Sequence, residues 1–369
     1  MDLQFELPVD TLTRPDLDGV PAAQGVFLLQ FDGGTPYLGL SRNLQWRLKR
    51  WLRSSGEGSR WAGLREALRR VSYQPTGSAF EAKLLLYRLA RKFRPETYRK
   101  YLKLRPPPFV KVQLSNAYPR TYITTRLTRR RSLFFGPFAT RAAAERFESK
   151  FLDLFLIRRC QEEIIPDPAH PGCIYGEMDM CLRPCQARSS EREYHAEVGR
   201  VLQFLNTRGQ SLVREIEQAR DEASVALEFE QASNHHRKLE KAQEALKLAD
   251  GLARDIDSLF GLVIQPSAAE QAVELFWIYQ GFLQPAMTFR YAVVGGRSVS
   301  LDSRLRDLFQ QAEHKTGTPP ERTDHLALLN RWYRSSWRKG EVLLFDGMDQ
   351  IPYRKLVRAI SRVATGQQK

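Results

Sequence analysis

The sequence predicts an α+β multidomain protein of four successive parts. These are a small mixed-sheet domain over 15–105, strands, one helix and a cysteine-rich loop over 106–190, a helical hairpin over 191–252, and a mixed α/β domain over 256–369. Three observations predict this order. Short apolar runs bounded by Gly and Pro alternate with helical periods near the start of the chain. All four cysteines fall between Cys160 and Cys185, in a stretch interrupted by Pro166, Pro168, Pro171 and Pro184. From Glu191 to Gly251 the pattern is almost unbroken helix. At 369 residues and 42% hydrophobic, the chain can bury more than one core.

Residues 19–31 carry a turn and a buried strand, and Asp32-Gly33-Gly34 turns the chain into a second strand over Tyr37–Leu40. Asn43 can cap a helix in which Leu44, Leu48, Trp51 and Leu52 recur at helical spacing, with arginines opposite. A second helix spans about Ser78–Phe93 with Leu85, Leu86 and Leu89, and Pro95 closes it. Phe109–Leu114 and Thr121–Thr125 alternate as strands, and Arg141–Ile157 is helical. Leu212, Ile216, Ala219, Ala223 and Leu227 trace an apolar stripe with Gly209 as the break, which predicts a coiled-coil-like hairpin. Further strands are expected at Leu259–Ile264, Ala272–Tyr279, Ala286–Val294 and Glu341–Phe345. Between them Ala312–Arg322, with Gly317, Pro319 and Pro320, reads as an exposed loop.

Lys and Arg number 57 against 42 Asp and Glu, for a net charge of +15. Such an excess attracts a polyanion through counterion release, which points to nucleic acid. No run approaches a membrane span, and no basic amphipathic anchor helix supports a membrane partner. The charge concentrates where aromatics are interleaved. One cluster is Arg42, Trp46, Arg47, Lys49, Arg50, Trp51 and Arg53, and a second is Arg129, Arg130 and Arg131 before Phe134 and Phe135. The third is Arg331, Trp332, Tyr333, Arg334, Trp337, Arg338 and Lys339. Guanidiniums beside stacking rings suit a nucleic-acid surface, and amphipathic helices with solvated arginines produce the same pattern.

Cys160, Cys173, Cys181 and Cys185 can converge as four thiolates on zinc or an iron-sulfur cluster. Zinc sites usually use close pairs, and Cys181/Cys185 is the one such pair here, so the spacing leans towards a [4Fe-4S] cluster with zinc as the alternative. Two disulfides or four ordinary buried thiols are the bland readings. Met1–Asp10 has no basic segment followed by an apolar run, so no signal peptide is expected, and a reducing, cytoplasmic location with it.

Three groups of residues, in order over roughly 15–300, resemble the UvrC family, the excinuclease subunit of bacterial nucleotide excision repair. Gly25-Val26-Phe27, Tyr37-Leu38-Gly39, Asn43-Leu44 and Arg47 are similar to its GIY-YIG nuclease motif. Phe135-Gly136-Pro137-Phe138, Arg159-Cys160, Cys173-Ile174-Tyr175 and Cys181-Leu182-Arg183-Pro184-Cys185 are similar to its cysteine region. Leu227-Glu228-Phe229-Glu230-Gln231-Ala232 with Arg237 resembles its UVR motif. The resemblance implies a nuclease in which a tyrosine or its partner activates water, a lysine and an arginine stabilise charge at the phosphate, and a helical glutamate holds one divalent metal.

Carried over position by position, Tyr37 and Arg47 are retained as vestiges, while the first tyrosine is Phe27, the lysine is Leu40 and the metal glutamate is Leu86. The asparagine expected after Pro95 is Tyr98. Leucine cannot bind magnesium, so a nuclease-inactive domain is expected, with Arg42, Asn43, Arg47 and Arg50 left to hold DNA. The UVR resemblance implies docking to a UvrB-like helicase subunit through Phe229, Glu230 and Arg237, although Asn234-His235-His236-Arg237-Lys238 stands where the family usually has an Arg-Asp pair. Fuller relatives continue into an RNase H-like nuclease domain, of which residues 256–369 would be a truncated form; Asp346 and Asp349 assemble no acidic triad. Two rival readings are an active endonuclease with a rearranged metal site using Glu81, and an assembly protein without DNA affinity.

Overall fold

The computed structural model of the protein describes residues 3–7, 17–53, 67–129, 131–249, 251–291 and 300–366. Arg130 and positions 292–294 of the expected third C-terminal strand lie outside them. Among the described residues there are twelve strands in three four-stranded antiparallel sheets, with eleven α-helices. The α+β multidomain expectation holds.

The first sheet joins β1 (Phe5–Glu6), β2 (Gly25–Phe31), β3 (Tyr37–Ser41) and β4 (Leu68–Pro75) in the order β1-β4-β2-β3. Side chains alternate along β2. Phe27 and Leu29 pack with Leu44, Leu48 and Leu52 of α1 (Leu44–Arg53), while Val26 and Leu28 meet Ala82, Leu85, Leu86 and Leu89 of α2 (Ala79–Phe93). Burial on both faces explains the unbroken apolar run of β2. Both helices start where a side chain satisfies an orphan amide: Trp46 N donates to Asn43 Oδ1 at 2.8 Å, and Glu81 N to Ser78 Oγ at 3.1 Å.

The second sheet runs β6-β5-β7-β8, from β5 (Phe109–Gln113), β6 (Thr121–Thr124), β7 (Ser132–Gly136) and β8 (Arg254–Asp255). A short α3 (Tyr98–Tyr101) precedes it, and α4 (Arg141–Leu152) covers one face through Phe147 and Phe151. The helix ends five residues before the expected Ile157, and the chain turns over Asp153–Phe155 into the cysteine loop, which holds the single turn α5 (Ile174–Glu177).

The expected hairpin is instead three helices, α6 (Glu191–Asn206), α7 (Gln210–Val225) and α8 (Phe229–Leu248). Gly209 is one break, at φ +80°, and a Cβ there would lie 2.4 Å from Leu246. The second break is over 226–228, where Leu227 takes φ +60°. The apolar stripe therefore ends at Ala223. Leu227, its next member by periodicity, is 71% exposed because the chain reverses under it.

The third sheet runs β11-β10-β9-β12, from β9 (Phe260–Pro266), β10 (Ala272–Tyr279), β11 (Phe282–Arg290) and β12 (Glu341–Phe345). Helices α9 (Leu301–Gln310) and α11 (Tyr353–Ala364) cover the face carrying Leu262, Ile264, Leu275 and Trp277. The other face takes α10 (Pro319–Tyr333). The expected loop over 312–322 is thus only half loop. Thr318 caps α10, and Pro319 and Pro320 occupy its first turn, where a missing amide costs nothing.

Helix α10 does not belong to one part alone. Leu326, Leu329 and Trp332 share a core with Phe80, Leu84 and Tyr87 of α2, Phe109 and Phe134 of the second sheet, and Val263 and Phe276 of the third. Beside this core the buried Asp324 carboxylate accepts from Tyr98 Oη at 2.6 Å and from Arg99 Nε at 2.9 Å. Asn330 Nδ2 donates to Phe138 O at 3.2 Å. Three sheets are tied through one helix.

Candidate nucleic-acid interface and candidate metal centre

Five of the positions that the GIY-YIG resemblance marks, Tyr37, Gly39, Leu40, Arg47 and Leu86, line one cleft of about 440 Å³. They line it from the first sheet and its helices, and Arg331, Trp332 and Trp337 line it from α10 and the turn that follows. Lys83 and Tyr101 complete the wall. Among the described residues no carboxylate lines the cleft. Sequence reasoning did not place Lys83 or Tyr101 here, and it flagged Arg331 and Trp337 only as part of a basic-aromatic cluster. The signal for Lys83 was its position three before Leu86 on the same helix face.

Phe27, Leu86 and Tyr98 have packing or bracing roles, while Leu40 is partly exposed on the cleft wall. Phe27 is fully buried, and its ring sits so close under Gly39 that a Cβ there would be 2.3 Å from it. Leu86 joins the apolar cluster between the sheet and α2. Tyr98 has become a brace, donating to Asp324. Glu81 is turned away from the cleft: its Oε2 accepts from Gly77 N at 2.9 Å at the start of α2. Burial first, and then the Glu274 carboxylate, pushes Glu81 up to about 8. A buried carboxyl that favours its proton and caps a helix is poorly placed to hold magnesium beside Tyr37 and Arg47.

The cleft is electropositive. Arg47 Nε is buried without a hydrogen-bond partner among the described residues. Lys83 is brought down to about 8, by burial first and then by the Arg331 guanidinium, and its Nζ lies 3.5 Å from the Trp337 ring centroid. Of the other expected DNA-binding residues, Arg42 lines an adjoining cleft with Lys83, Trp337 and Lys339. Arg50 is exposed, its guanidinium 5.3 Å from the Trp46 ring centroid. Asn43 uses its carbonyl on the helix cap.

Cys160, Cys173, Cys181 and Cys185 line one small pocket together with Arg158, Ile164, Tyr175 and Arg183. All four are free, partly exposed thiols, which removes the disulfide and buried-core readings. The loop is held by its backbone. Asp167 N donates to Cys185 O at 2.9 Å, Gly176 N to Cys173 O at 2.9 Å, and the buried Arg158 donates to Tyr118 O at 2.8 Å while its Nη1 lies 3.7 Å from Cys160 Sγ. Asp179, Arg183 and Ala187 all take positive φ near 50°, so strained backbone gathers around Cys181 and Cys185. Burial, and then the other three thiols, pushes Cys181 up to about 11. Among the described residues no group of three or more His, Cys, Asp or Glu side chains stands in a metal-holding array, so the thiols face one pocket without meeting at a point. Four sulfur donors on a shared pocket are the chemistry a soft metal centre takes.

At the far end of the α7–α8 hairpin, Phe229 is 70% exposed beside exposed Glu230, and Arg237 donates to Asn234 Oδ1 at 2.6 Å. Periodicity places the three on one side of α8. Asp346 accepts from Arg208 at 3.0 Å, which accounts for it as an interdomain tie. Among the described residues no helix is long and apolar enough to cross a membrane.

Residues 108–204 match the family described as UvrC/Cho excinuclease, middle domain. The UvrABC system protein C of Moorella thermoacetica is 26% identical over 65% of this chain and 40% of its own length. That of Methanothermobacter thermautotrophicus is 27% identical over 66% of this chain and 42% of its own, and that of Dehalococcoides mccartyi is 23% identical over 98% of this chain and 60% of its own. The chain thus spans less than two thirds of the length of these relatives. No solved structure matches it. With the cysteine region inside the matched middle domain, and the likeness extending on both sides of it, the chain is a relative of the UvrC family.

Proposed function

We propose that this protein is a DNA-binding, non-cutting UvrC-like component of nucleotide excision repair. The observation that carries the reading is the cleft itself: Tyr37 and Arg47 are in place, Leu40 and Leu86 replace the lysine and the metal ligand, and no carboxylate lines it among the described residues. Hydrolysis of a phosphodiester by this motif needs a metal clamp, and removing it forfeits several kcal/mol of transition-state stabilisation. Binding does not need the clamp. Arg42, Arg47 and Arg50 on and before α1 supply guanidiniums for phosphates, and the net charge of +15 supplies the long-range attraction.

The four thiols would hold a [4Fe-4S] cluster, or zinc, through Cys160, Cys173, Cys181 and Cys185, and such a centre would cross-link a loop that is poor in apolar contacts of its own. The hairpin tip, through Phe229, Glu230 and Arg237, would meet a UvrB-like helicase subunit.

Duplex affinity measured against salt tests the reading. The logarithm of the binding constant should fall linearly with the logarithm of salt concentration, and each of Arg42→Ala, Arg47→Ala and Arg50→Ala should reduce the slope by about 1. A protein with no measurable duplex affinity at low salt would be an assembly factor instead.

A further inference from the structure

The proposed function uses the α1 face and leaves the opposite wall of the cleft unassigned. That wall comes from the fourth part of the chain. Helix α10 ends at Tyr333, and Trp332, buried against Phe80 at 5.0 Å between ring centroids, anchors it to α2. This anchoring sets Arg331 and the half-exposed Trp337 across from Tyr37 and Arg47. The cleft therefore joins three cations, Arg47, Lys83 and Arg331, to the rings of Tyr37, Tyr101 and Trp337.

Among the described residues no acid lines the cleft to balance these charges. Lys83 and Arg331 are near enough for one to disfavour the other's charge, and Lys83 rests on the Trp337 ring rather than on an acid. Cations held together in a partly buried space that no carboxylate of the described residues lines are stabilised by an arriving anion. The aromatic lining asks for more than a bare phosphate, since rings beside guanidiniums are what an unstacked base and its backbone recognise. A volume of about 440 Å³ suits one or two nucleotides and is far too small for a double helix.

From this geometry we propose that the cleft is a composite site for an unpaired nucleotide of a DNA strand, with the phosphate between Arg47, Lys83 and Arg331 and the base against Trp337. The inference rests on the DNA-binding reading and adds a preference to it: duplex lies along α1, and a single-stranded end or displaced base enters between the first and third sheets. No bond is made or broken there.

The test compares a blunt duplex with the same duplex carrying a short single-stranded overhang that contains 2-aminopurine. The full chain should bind the overhang DNA roughly tenfold more tightly, the size of a stacked base together with a phosphate contact, and 2-aminopurine fluorescence should be quenched on binding. The double variant Arg331→Ala/Trp337→Ala changes two exposed positions outside the α1 surface. It should lose both the preference and the quenching while keeping the blunt-duplex affinity, and Trp337→Phe should retain the quenching. Equal affinity of the full chain for both DNAs, or a preference that survives in the double variant, overturns the proposal. Loss of blunt-duplex binding in the double variant also overturns it, because the cleft would then be part of the duplex surface. If the full chain binds neither DNA, the underlying DNA-binding reading fails first and is distinguished by that result.

Discussion

At Glu81 a carboxyl has been taken out of water and given to a helix start. Its proton is favoured by burial and by the Glu274 carboxylate, against the lowering effect of the Gly77 and Ser78 amides. The folded group titrates near 8, whereas in an unfolded chain a glutamate titrates at about 4.3. Between those values the folded state binds the extra proton, so Glu81 contributes stability that is fully present below about 4.3 and is lost as pH rises through about 8. Glu81→Gln keeps an acceptor for Gly77 N–H and carries no charge. Denaturant midpoints measured across this range should decline less steeply with pH in the variant, which should be the more stable protein at the alkaline end. An unchanged pH slope would mean that the carboxyl is solvated and free to serve as a metal ligand. Leu86 shows the complementary change at the same scale. It packs into the apolar cluster behind β2, where a carboxylate would need a metal or a cation to compensate it.

Among the elements, the cysteine loop and the hairpin tip make the sharpest predictions. Anaerobically purified protein should contain iron and acid-labile sulfide, and Cys181→Ser should abolish both and lower the thermal midpoint, because metal ligation at four sulfurs would close a loop held otherwise by backbone bonds. Zinc without sulfide would identify the alternative centre, and metal-free protein of undiminished stability would remove both. At the tip, Phe229→Ala should weaken association with a UvrB-like subunit by roughly tenfold, since an exposed aromatic anchor carries a large share of a small interface. Equal binding by wild type and variant would show that the hairpin serves only intrachain packing.

How legible these elements were depended on whether one strand or helix face alone determined them. β2, β10, β12, α1 and α2 each display their burial in their own residues, with caps at Asn43 and Ser78. β4 was hidden because Arg69 and Arg70 interrupt its apolar pattern, and these pair across the sheet edge with Asp32 and Glu6. α10 was masked by Gly317, Pro319 and Pro320, residues that break helices inside but suit their first turn. The four thiols were visible from clustering. The second wall of the cleft was not, because Arg331 and Trp337 reach Arg47 only through tertiary packing of α10 on α2.

For the whole molecule, a position that the resemblance reads as substituted is also one that joins the parts. Tyr98, standing where the resemblance implies an asparagine, braces Asp324 of α10, and Arg99 and Tyr87 share that carboxylate. The third sheet is thereby held against the face that carries Tyr37 and Arg47. A nuclease must admit a scissile phosphate, a metal and water to that face, whereas a binder gains from the added arginine and tryptophan. The most direct measurement is strand scission and binding on the same lesion-containing duplex with magnesium or manganese present. The account predicts a retained, salt-sensitive complex and intact strands at every protein concentration. Nicks that accumulate with protein and vanish in Arg47→Ala would contradict it.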